Sequence, residues 1–355
     1  MSKIAVVAIT KHGIEIARRI RKRMPEVIIY VPAKHSDGGK DITWFSEAST
    51  KMVSELFRTV DALICIFSLG AAVRMIAPYL VDKKNDPAVL VIDDKASHVI
   101  SVLSGHLGGA NALSRLVASY LGSTPVITTA ADVNETIPVD LVGREFGWSI
   151  ENFENVTRTS AFMVNEERIA VYQDAGEKDW WRAQLPKNVE VVQDINRIKE
   201  PEFKAGLAIT DKHVSDPEVL SKAVIYRPRS LVVGVGLHWD TSKDEIELGV
   251  RSVLTANGLA IKSVRNLASI NRGARVKGLE EFAALLNVPI EIFEKESLAS
   301  VAVPNPSQTV QKFEGTASVS EASALLSSRG SLVVQKQKFP PNLTVAVSRI
   351  EFPQR

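Results

Sequence analysis

The feature that most constrains the fold is a series of short, uninterrupted apolar runs that alternate with segments of helical periodicity. The first four runs are IAVVAI, VIIYV, ALICIF and AVLVI, which begin at Ile4, Val27, Ala62 and Ala88. Continuous runs rich in β-branched residues are typical of strands that are buried on both faces of a parallel sheet. The alternation of strands and helices therefore predicts an α/β fold with mostly parallel sheets flanked by helices.

The strength of this pattern changes along the 355 residues, a length that allows several domains. It is strong over residues 1–136 and weakens over 137–229, where RIAVY, VEVV and GLAIT predict a smaller, mixed α/β middle domain. A fresh α/β pattern starts at SLVVGVGL, after the segment RPRS, which we interpret as a linker. Its helix is introduced by a capping box of Ser242 and Glu245. We predict three domains, at 1–136, 137–229 and 230–355.

Charge and hydropathy exclude several classes of partner. The 43 Lys+Arg and 41 Asp+Glu give a net charge of +2, without the strongly basic character of nucleic-acid-binding domains. The run RRIRKR is interpreted as the solvated face of an amphipathic helix. The uncharged apolar stretch from Ala62 to Val73 is 12 residues, whereas a membrane-spanning helix needs about 20. The opening MSKIAVVAIT has neither a charged n-region nor a cleavage site, so we expect a cytoplasmic protein.

The single cysteine, Cys65, lies inside the apolar run ALICIF. A lone thiol gives no disulfide framework and no zinc-ligand spacing. We therefore expect a buried thiol and no metal held by the protein.

The first candidate site is the segment SGHLGGAN, which follows a predicted strand and opens a helix. Its three glycines, Gly105, Gly108 and Gly109, have the spacing G-x-x-G-G and not that of a dinucleotide fingerprint. Such a turn directs backbone N–H groups toward an anion or a developing oxyanion. His106 projects from the turn, and Asn111 lies in the first helical turn. The alternative is a tight connection whose histidine only packs or caps locally.

A second turn follows the run ALICIF in the segment SLGAAVRMIAP. Gly70 supplies the turn, and Arg74 is the only charge between Asp61 and Asp82. An arginine in an otherwise apolar stretch needs a partner, which is either a buried carboxylate or a carboxylate of the substrate. Both alternatives remain open.

A third group of polar side chains lies in VITTAADVN, just past another predicted strand. Thr128, Thr129 and Asp132 would line the same face as His106 if the two strands are parallel neighbours. The alternative is a helix cap or an Asx turn.

Two long segments carry a resemblance to a known family. They are SLGAAVRMIAPYLVDKKNDPAVLVID and VISVLSGHLGGANALSRLVASYLGSTPVITTAADVN, which follow one another within residues 60–142. Together they resemble the cobalt-precorrin-5A hydrolase (CbiG) family of anaerobic cobalamin biosynthesis. The segments LVVGVGL, TSKDEIE, LASI, GLEEFA, SVSEASAL, SLVVQK and LTVAV are similar to the C-terminal domain of that family. The resemblance is weakest over residues 143–229.

The C-terminal part departs from the family pattern at three positions. Where the family usually has LASIDxK and then an acidic residue before GL, this chain has Asn271, Gly273 and Val276. Those positions are substrate-binding candidates in the family, so the departures place the C-terminal ligand contacts in doubt. Glu321 and Lys336 are retained.

The resemblance implies a cobalt-containing tetrapyrrole substrate with a δ-lactone between the ring A acetate and C20. Opening the lactone releases acetaldehyde and gives cobalt-precorrin-5B. The chemistry requires a proton acceptor for water, donors for the oxyanion and cations for the peripheral carboxylates. On this basis His106 is the base or proton shuttle, Asn111 orients the carbonyl or water, and Asp132 orients or transfers a proton. The amides near Gly108 and Gly109 are the expected oxyanion donors.

The remaining expectations concern binding. Arg74 would pair with an acetate or propionate of the substrate, and Gly70, Gly105, Thr128 and Thr129 are predicted to contact it. Cobalt is carried by the substrate, so no cofactor held by the protein is expected. Expected partners are the substrate, neighbouring corrin-pathway enzymes and a second copy of the chain. The alternative function is that of a non-catalytic tetrapyrrole-binding or carrier protein of the same pathway.

Overall fold

The fold is known from a computed structural model, which describes residues 3–82, 85–273 and 276–352. The strands in this part of the chain are β1 (Ile4–Ala8), β2 (Ile28–Pro32), β3 (Ile42–Phe45), β4 (Ala62–Ile66), β5 (Ala88–Ile92), β6 (His98–Leu103), β7 (Thr124–Val126), β8 (Ser149–Ile150), β9 (Ile169–Gln173), β10 (Val189–Val192), β11 (Ala205–Ile209), β12 (Ala223–Arg227), β13 (Leu231–Leu237), β14 (Val264–Ile270), β15 (Ile290–Phe293), β16 (Ser331–Phe339) and β17 (Leu343–Arg349). The α-helices are α1 (Lys11–Arg23), α2 (Ser49–Phe57), α3 (Leu69–Ile76), α4 (Ala110–Leu121), α5 (Ala130–Val133), α6 (Val156–Val164), α7 (Pro217–Lys222), α8 (Lys243–Ala256), α9 (Lys277–Leu286), α10 (Lys295–Ala299), α11 (Gln308–Glu314) and α12 (Val319–Ser328). No helix in these ranges is both long enough and apolar enough to cross a membrane.

The first sheet has seven strands in the order β3-β2-β1-β4-β5-β6-β7. Neighbouring strands are parallel except β5 and β6, which are antiparallel. The carboxyl ends of β6 and β7 therefore lie at the edge of the sheet where the central strands β1, β4 and β5 begin. Because β6 and β7 run opposite to the central strands, the turns that follow them lie at a different edge of the sheet from the turns that follow β1, β4 and β5.

Helices cover both faces of the first sheet. On one face, Val6 of β1 packs in a cluster with Ile20 of α1 and Val117 of α4. On the other face, Val7 of β1 packs in a cluster with Ile76 of α3. Successive side chains of a strand point to opposite faces, so α3 and α4 lie on opposite sides of the sheet. Full burial of each such side chain stabilises the fold by about 1.5 to 3 kcal/mol.

The other two sheets have five strands each, in the orders β10-β9-β11-β12-β8 and β15-β14-β13-β17-β16. The second sheet is parallel apart from β8, and in the third sheet β16 and β17 run antiparallel to their neighbours. With the first sheet, they confirm the predicted α/β class with mostly parallel sheets. By its internal contacts the chain divides into two compact units, Met1–Leu141 and Val142–Arg355.

Two local predictions have clear outcomes in the second unit. The capping box before α8 is confirmed, since the Ser242 hydroxyl accepts from the Glu245 amide and the Glu245 carboxylate accepts from the Ser242 amide. The interpretation of RPRS as a linker is wrong in one respect, because this segment is not exposed. Arg227 is fully buried and donates to the carbonyl of Thr210 at 2.9 Å, and Ser230 is buried as well.

Candidate active site

The predicted SGHLGGAN turn connects β6 to α4. Because β6 runs against β5, the turn lies beside the start of β5, where the Ser104 hydroxyl donates to the carbonyl of Asp86 at 2.9 Å. The turn thus follows the carboxyl end of its own strand, as predicted, yet lies at the opposite edge from the carboxyl ends of the central strands. The usual crevice of open α/β sheets lies at those carboxyl ends, so this site is not in it.

Two glycines are required by the shape of the turn. Gly109, the residue before α4, has φ +85°, a conformation that side-chain-bearing residues rarely adopt. At Gly108 an added Cβ would lie 2.4 Å from the Cβ of Ser104, so no larger residue fits without movement. Both glycines therefore have a structural explanation that does not need a ligand.

Most of the amides in the turn are already engaged. The amides of Gly109, Ala110 and Asn111 donate to the carbonyls of His106, Ser104 and Gly105, at 3.0, 3.1 and 3.0 Å. The prediction that the Gly109 amide is an oxyanion donor is therefore wrong.

Gly108 is different from its neighbour. It is exposed, and its amide has no hydrogen-bond partner in the described part of the chain. Its predicted role as an oxyanion donor stays a prediction.

The centre of the site is the His106 ring, which lies between two carboxylates. Its Nε2 is 2.9 Å from Oδ2 of Asp132, and its Nδ1 is 3.1 Å from Oδ1 of Asp140. All three side chains are largely buried, with 12 to 18% of each exposed. We call these three residues the His106 cluster.

The two carboxylates favour the protonated form of His106. The hydrogen bond to Asp140, with the charges of Asp140 and Asp132, raises the pKa of His106 above its ordinary value, although burial opposes this. A neutral imidazole carries only one N–H, whereas donation to both carboxylates requires two. The arrangement therefore favours a proton stored on His106, and with it the shuttle over the base among the two predicted roles.

Asp132 is fixed from three sides. Its Oδ2 accepts from Asn111 Nδ2 at 2.8 Å as well as from His106, and its Oδ1 accepts from Arg115 Nη2 at 2.6 Å. Burial favours the protonated form, but the hydrogen bonds from Arg115, His106 and Asn111 outweigh it and lower the pKa of Asp132. Asp132 is thus an anchored carboxylate.

Asn111 helps to hold Asp132 in place and is itself held by two neighbours. It is 4% exposed, its Nδ2 also donates to Thr129 Oγ1 at 2.9 Å, and its Oδ1 accepts from Ser101 Oγ at 2.7 Å. With both amide hydrogens engaged, Asn111 positions Asp132 and is not a free donor for a substrate carbonyl.

The pairing of β6 with β7 explains why these residues meet. The strands are parallel neighbours, with Ile100 opposite Val126, so the segments that follow them lie side by side. The two strands are thus parallel neighbours, the condition under which Thr129 and Asp132 were predicted to lie on the same face as His106. Thr128 is exposed, and its side chain makes no hydrogen bond with the described residues.

The Arg74 turn lies elsewhere. It follows β4, whose carboxyl end is at the other edge of the sheet, and α3 packs on the face opposite α4. The Arg74 turn and the SGHLGGAN turn therefore do not lie side by side. Arg74 is exposed and donates to the carbonyl of Gly70 at 3.1 Å, and no carboxylate of the described residues pairs with it.

Three residues of the site were missed by the sequence prediction. Arg115 lies four residues after Asn111 on α4, and this helical spacing places both on one face, which is a signal that the sequence does contain. Ser101 lies in β6, and Asp140 lies in an irregular segment without any periodic pattern. No metal-binding group of three or more His, Cys, Asp or Glu side chains occurs within residues 3–82, 85–273 and 276–352.

The raised pKa of His106 predicts a pH dependence of stability. A histidine whose pKa is higher in the folded state contributes stability that is fully present below the unfolded value of about 6.5. That contribution is lost as the pH rises through the folded pKa. We expect the opening free energy of the α4 amides, measured by native-state hydrogen exchange and corrected for intrinsic rates, to fall above pH 6.5.

His106→Gln should remove this dependence, and His98→Gln, a change at the other end of β6, should retain it. An equal slope in wild type and His106→Gln would contradict a stored proton on His106.

Together the fold and the site define an α/β protein with a largely buried cluster of one histidine and two carboxylates. Residues 51–132 match the family described as Cobalamin synthesis G N-terminal, residues 137–228 match Cobalamin biosynthesis central region, and residues 231–348 match Cobalamin synthesis G C-terminus.

Relatives match over nearly the whole chain. Cobalt-precorrin-5A hydrolase of Priestia megaterium is 43% identical, covering 98% of this chain and 95% of its own. The Salmonella typhimurium protein of the same name is 31% identical, covering 93% of each. A solved structure, a cobalamin biosynthesis protein G homologue from Sulfolobus solfataricus, is 22% identical over 98% of this chain and 97% of its own, with a TM-score of 0.39. This chain belongs to the cobalt-precorrin-5A hydrolase (CbiG) family.

Proposed function

We propose that this chain is a hydrolase of cobalamin biosynthesis that opens the δ-lactone of cobalt-precorrin-5A and releases acetaldehyde. Family membership and the names of the two relatives support the reaction class. The observation that carries the assignment to a site is the His106 cluster, a histidine within hydrogen-bond distance of two carboxylates. Lactone opening needs a proton acceptor for the attacking water and a proton donor for the departing oxygen.

The two sides of the His106 ring differ in a way that indicates where the substrate binds. Asp132 is held by Arg115 and Asn111, so the Nε2 contact is anchored. The Nδ1 contact to Asp140, at 3.1 Å, has no such anchor in the hydrogen bonds around it. We therefore place the reacting lactone at the Nδ1 side, next to both His106 and Asp140.

Lactone opening then proceeds with a balanced exchange of protons. Water adds to the lactone carbonyl while its proton passes to the Asp140 carboxylate. The bond from the acyl carbon to the C20 oxygen breaks, and that oxygen takes the proton from Nδ1 of His106. Protonated Asp140 afterwards returns its proton to Nδ1, which restores the imidazolium. Asp132, Arg115 and Asn111 position the ring, and the Gly108 amide donates to the developing oxyanion.

Release of acetaldehyde follows from the alcohol formed at C20. The Asp140 carboxylate accepts the hydroxyl proton, and a carbonyl forms between C20 and its oxygen. The carbon–carbon bond to the macrocycle breaks, and its electron pair passes into the conjugated ring. C20 and its methyl group leave together as acetaldehyde, and the macrocycle takes the proton from Asp140, which restores the carboxylate.

A single-turnover assay tests this function. The purified chain, in small excess, is mixed with the lactone-bearing pigment. Acetaldehyde is trapped and quantified while the absorbance spectrum is recorded. The proposal expects about one acetaldehyde per pigment. A spectral change without aldehyde would instead identify the carrier function.

Arg74 provides a separate prediction about substrate binding. It is an exposed cation without a carboxylate partner in the described residues, but its turn lies at the opposite edge of the first sheet from the His106 cluster. A substrate whose lactone reacts at the cluster therefore does not contact Arg74, and we expect Arg74→Ala to leave KM and kcat unchanged, as in Arg23→Ala, an exposed arginine at the end of α1. A rise in KM of about tenfold, the effect of losing a charged hydrogen bond, would contradict the placement of the reaction at the cluster.

A further inference from the structure

Arg115 connects the largely buried His106 cluster to the surface of the protein. Its Nη2 lies 2.6 Å from Oδ1 of Asp132, and Oδ2 of the same carboxylate lies 2.9 Å from Nε2 of His106. Only 18% of the Asp132 side chain is exposed, whereas 53% of the Arg115 side chain is. The guanidinium group of Arg115 therefore contacts the cluster through one nitrogen and faces solvent with the rest.

The protein uses little of the hydrogen-bonding capacity of Arg115. A guanidinium group has five N–H donors, and the contact with Asp132 takes one of them. The second hydrogen of Nη2 and the hydrogens of Nη1 and Nε have no partner in the described part of the chain. Holding Asp132 in place needs a single donor, which a lysine would also supply. The unused donors lie in one plane and match the two oxygens of a second carboxylate.

The charges of the cluster give this second carboxylate a reason to bind at Arg115. The cluster contains two carboxylates, Asp132 and Asp140, and a protonated His106 offsets one of them. The other would repel a substrate that carries carboxylates of its own. Arg115 compensates this negative charge at the surface, where such a substrate arrives.

Exposed apolar side chains lie on both sides of the ion pair between Arg115 and Asp132. Leu116 follows Arg115 on α4 and is 41% exposed, and Val133 follows Asp132 on α5 and is 63% exposed. Ala112, one helical turn before Leu116, is exposed as well. Scattered exposed apolar residues are common on protein surfaces, but these adjoin a cation with unused donors. This combination fits an apolar ring that carries carboxylates at its edge.

We propose that Arg115 binds a peripheral carboxylate of the tetrapyrrole substrate, and that the ring edge next to this carboxylate covers Leu116 and Val133. The choice of a tetrapyrrole rests on the proposed function, whereas the preference for a carboxylate rests on the unused donors of Arg115. The carboxylate accepts from the second hydrogen of Nη2 and from a neighbouring nitrogen of the guanidinium group. The first hydrogen of Nη2 stays on Asp132.

This contact orients the macrocycle at the reaction centre. Arg115 lies beyond Asp132 on the Nε2 side of His106, whereas the lactone in the proposed reaction lies on the Nδ1 side. A substrate held on both sides of one histidine has little freedom to rotate, so its lactone carbonyl stays next to the cluster. Arg115 thus has two roles, since it positions Asp132 and also selects a substrate with a carboxylate at this distance from the lactone.

The binding test uses the full-length chain and uroporphyrin III, a tetrapyrrole with eight carboxylates and no lactone, as the probe. Hydrogen–deuterium exchange of residues 110–134, which contain α4 and α5, gives a local signal. Protection of this segment should saturate with probe concentration and yield a dissociation constant.

Matched variants identify the side chains that bind the probe. Arg115→Gln should raise the dissociation constant about tenfold or more, because a charged hydrogen bond is lost. Arg18→Gln, which breaks an exposed pair with Asp37 at 2.7 Å on α1, should leave it unchanged. Leu116→Gln should raise it about threefold, because less apolar surface is covered. Leu248→Gln, at a leucine of α8 that is 69% exposed, should not.

Arg115→Lys separates substrate binding from the positioning of Asp132. Lysine keeps a cation next to Asp132 but lacks the planar set of donors. With the lactone substrate, we expect kcat for acetaldehyde release within about threefold of wild type and KM raised about five- to tenfold. An arginine that only held Asp132 would instead give a wild-type KM in this variant.

Three results would overturn the inference. They are no protection of residues 110–134 at saturating probe, equal dissociation constants in Arg115→Gln and Arg18→Gln, and a wild-type KM in Arg115→Lys. Acetaldehyde release by a chain whose probe binding does not depend on Arg115 would refute this inference alone. Arg115-dependent binding in a chain that releases no acetaldehyde would refute the proposed function alone.

Discussion

Replacing His106 by glutamine is expected to lower kcat for acetaldehyde release by about 10²- to 10⁴-fold, the usual contribution of a positioned proton-transfer group. Glutamine can still donate to Asp132, but it cannot deliver a proton to the departing oxygen or take one back from Asp140. Substrate affinity should change little, because the proposed binding contacts are made by other residues. Stopped-flow trapping of acetaldehyde at saturating substrate measures this change.

The control for this variant lies on β6, the strand that leads into the His106 turn. His98, at the start of β6, has 55% of its side chain exposed and faces Asp93 at 3.7 Å. His98→Gln repeats the chemical change at the far end of β6 and should retain wild-type turnover. Acetaldehyde release by His106→Gln within threefold of the wild-type rate would exclude the His106 cluster as the reaction centre.

The second large effect is expected at Asp140. Asparagine has the same shape but cannot accept the proton of the attacking water, so we expect kcat to fall about 100-fold or more. The same change removes the strongest influence that raises the pKa of His106. An NMR titration of the His106 ring should therefore give a lower pKa in Asp140→Asn than in wild type.

The combination of the two readouts distinguishes chemistry from packing. A residue with a purely structural role would alter kcat without moving the pKa of His106 in this direction. Asp94→Asn is the control, since Asp94 pairs with His12 at 3.1 Å in an exposed position of the first sheet. A normal rate in Asp140→Asn, or an unchanged pKa of His106, would contradict the proposed exchange of protons.

The strands of the core could be predicted because burial on both faces leaves a continuous apolar run. The runs at Ile4, Ala62 and Ala88 all form strands, with the helical stripe of α4 beside them. The edge strand β3, Ile42–Phe45, has no such run. Its hydrophobic pattern is weak because only two of its four side chains are buried.

The antiparallel direction of β6 can be derived from the sequence. Only residues 93–97 separate β5 from β6, whereas a parallel connection needs a crossover of a dozen or more residues. The short connection therefore requires an antiparallel pair. An antiparallel β6 places the SGHLGGAN turn at the opposite edge of the sheet from Arg74.

The two carboxylate partners of His106 also differ in whether the sequence predicts them. Asp132 was predicted because it follows a strand that neighbours β6. Asp140 was not, because it comes after α5 in a segment without periodicity and reaches His106 only through tertiary contacts. A residue of that kind becomes visible only when the chain is folded.

The central claim is that water, activated at the His106 cluster, attacks the lactone carbonyl. A single turnover in ¹⁸O-labelled water tests it most directly, because the label then enters the carboxylate that is freed on ring A. Mass spectrometry of the tetrapyrrole product should show one ¹⁸O per molecule, together with one acetaldehyde per turnover. Acetaldehyde released with an unlabelled product carboxylate, or pigment bound without acetaldehyde, would contradict the account.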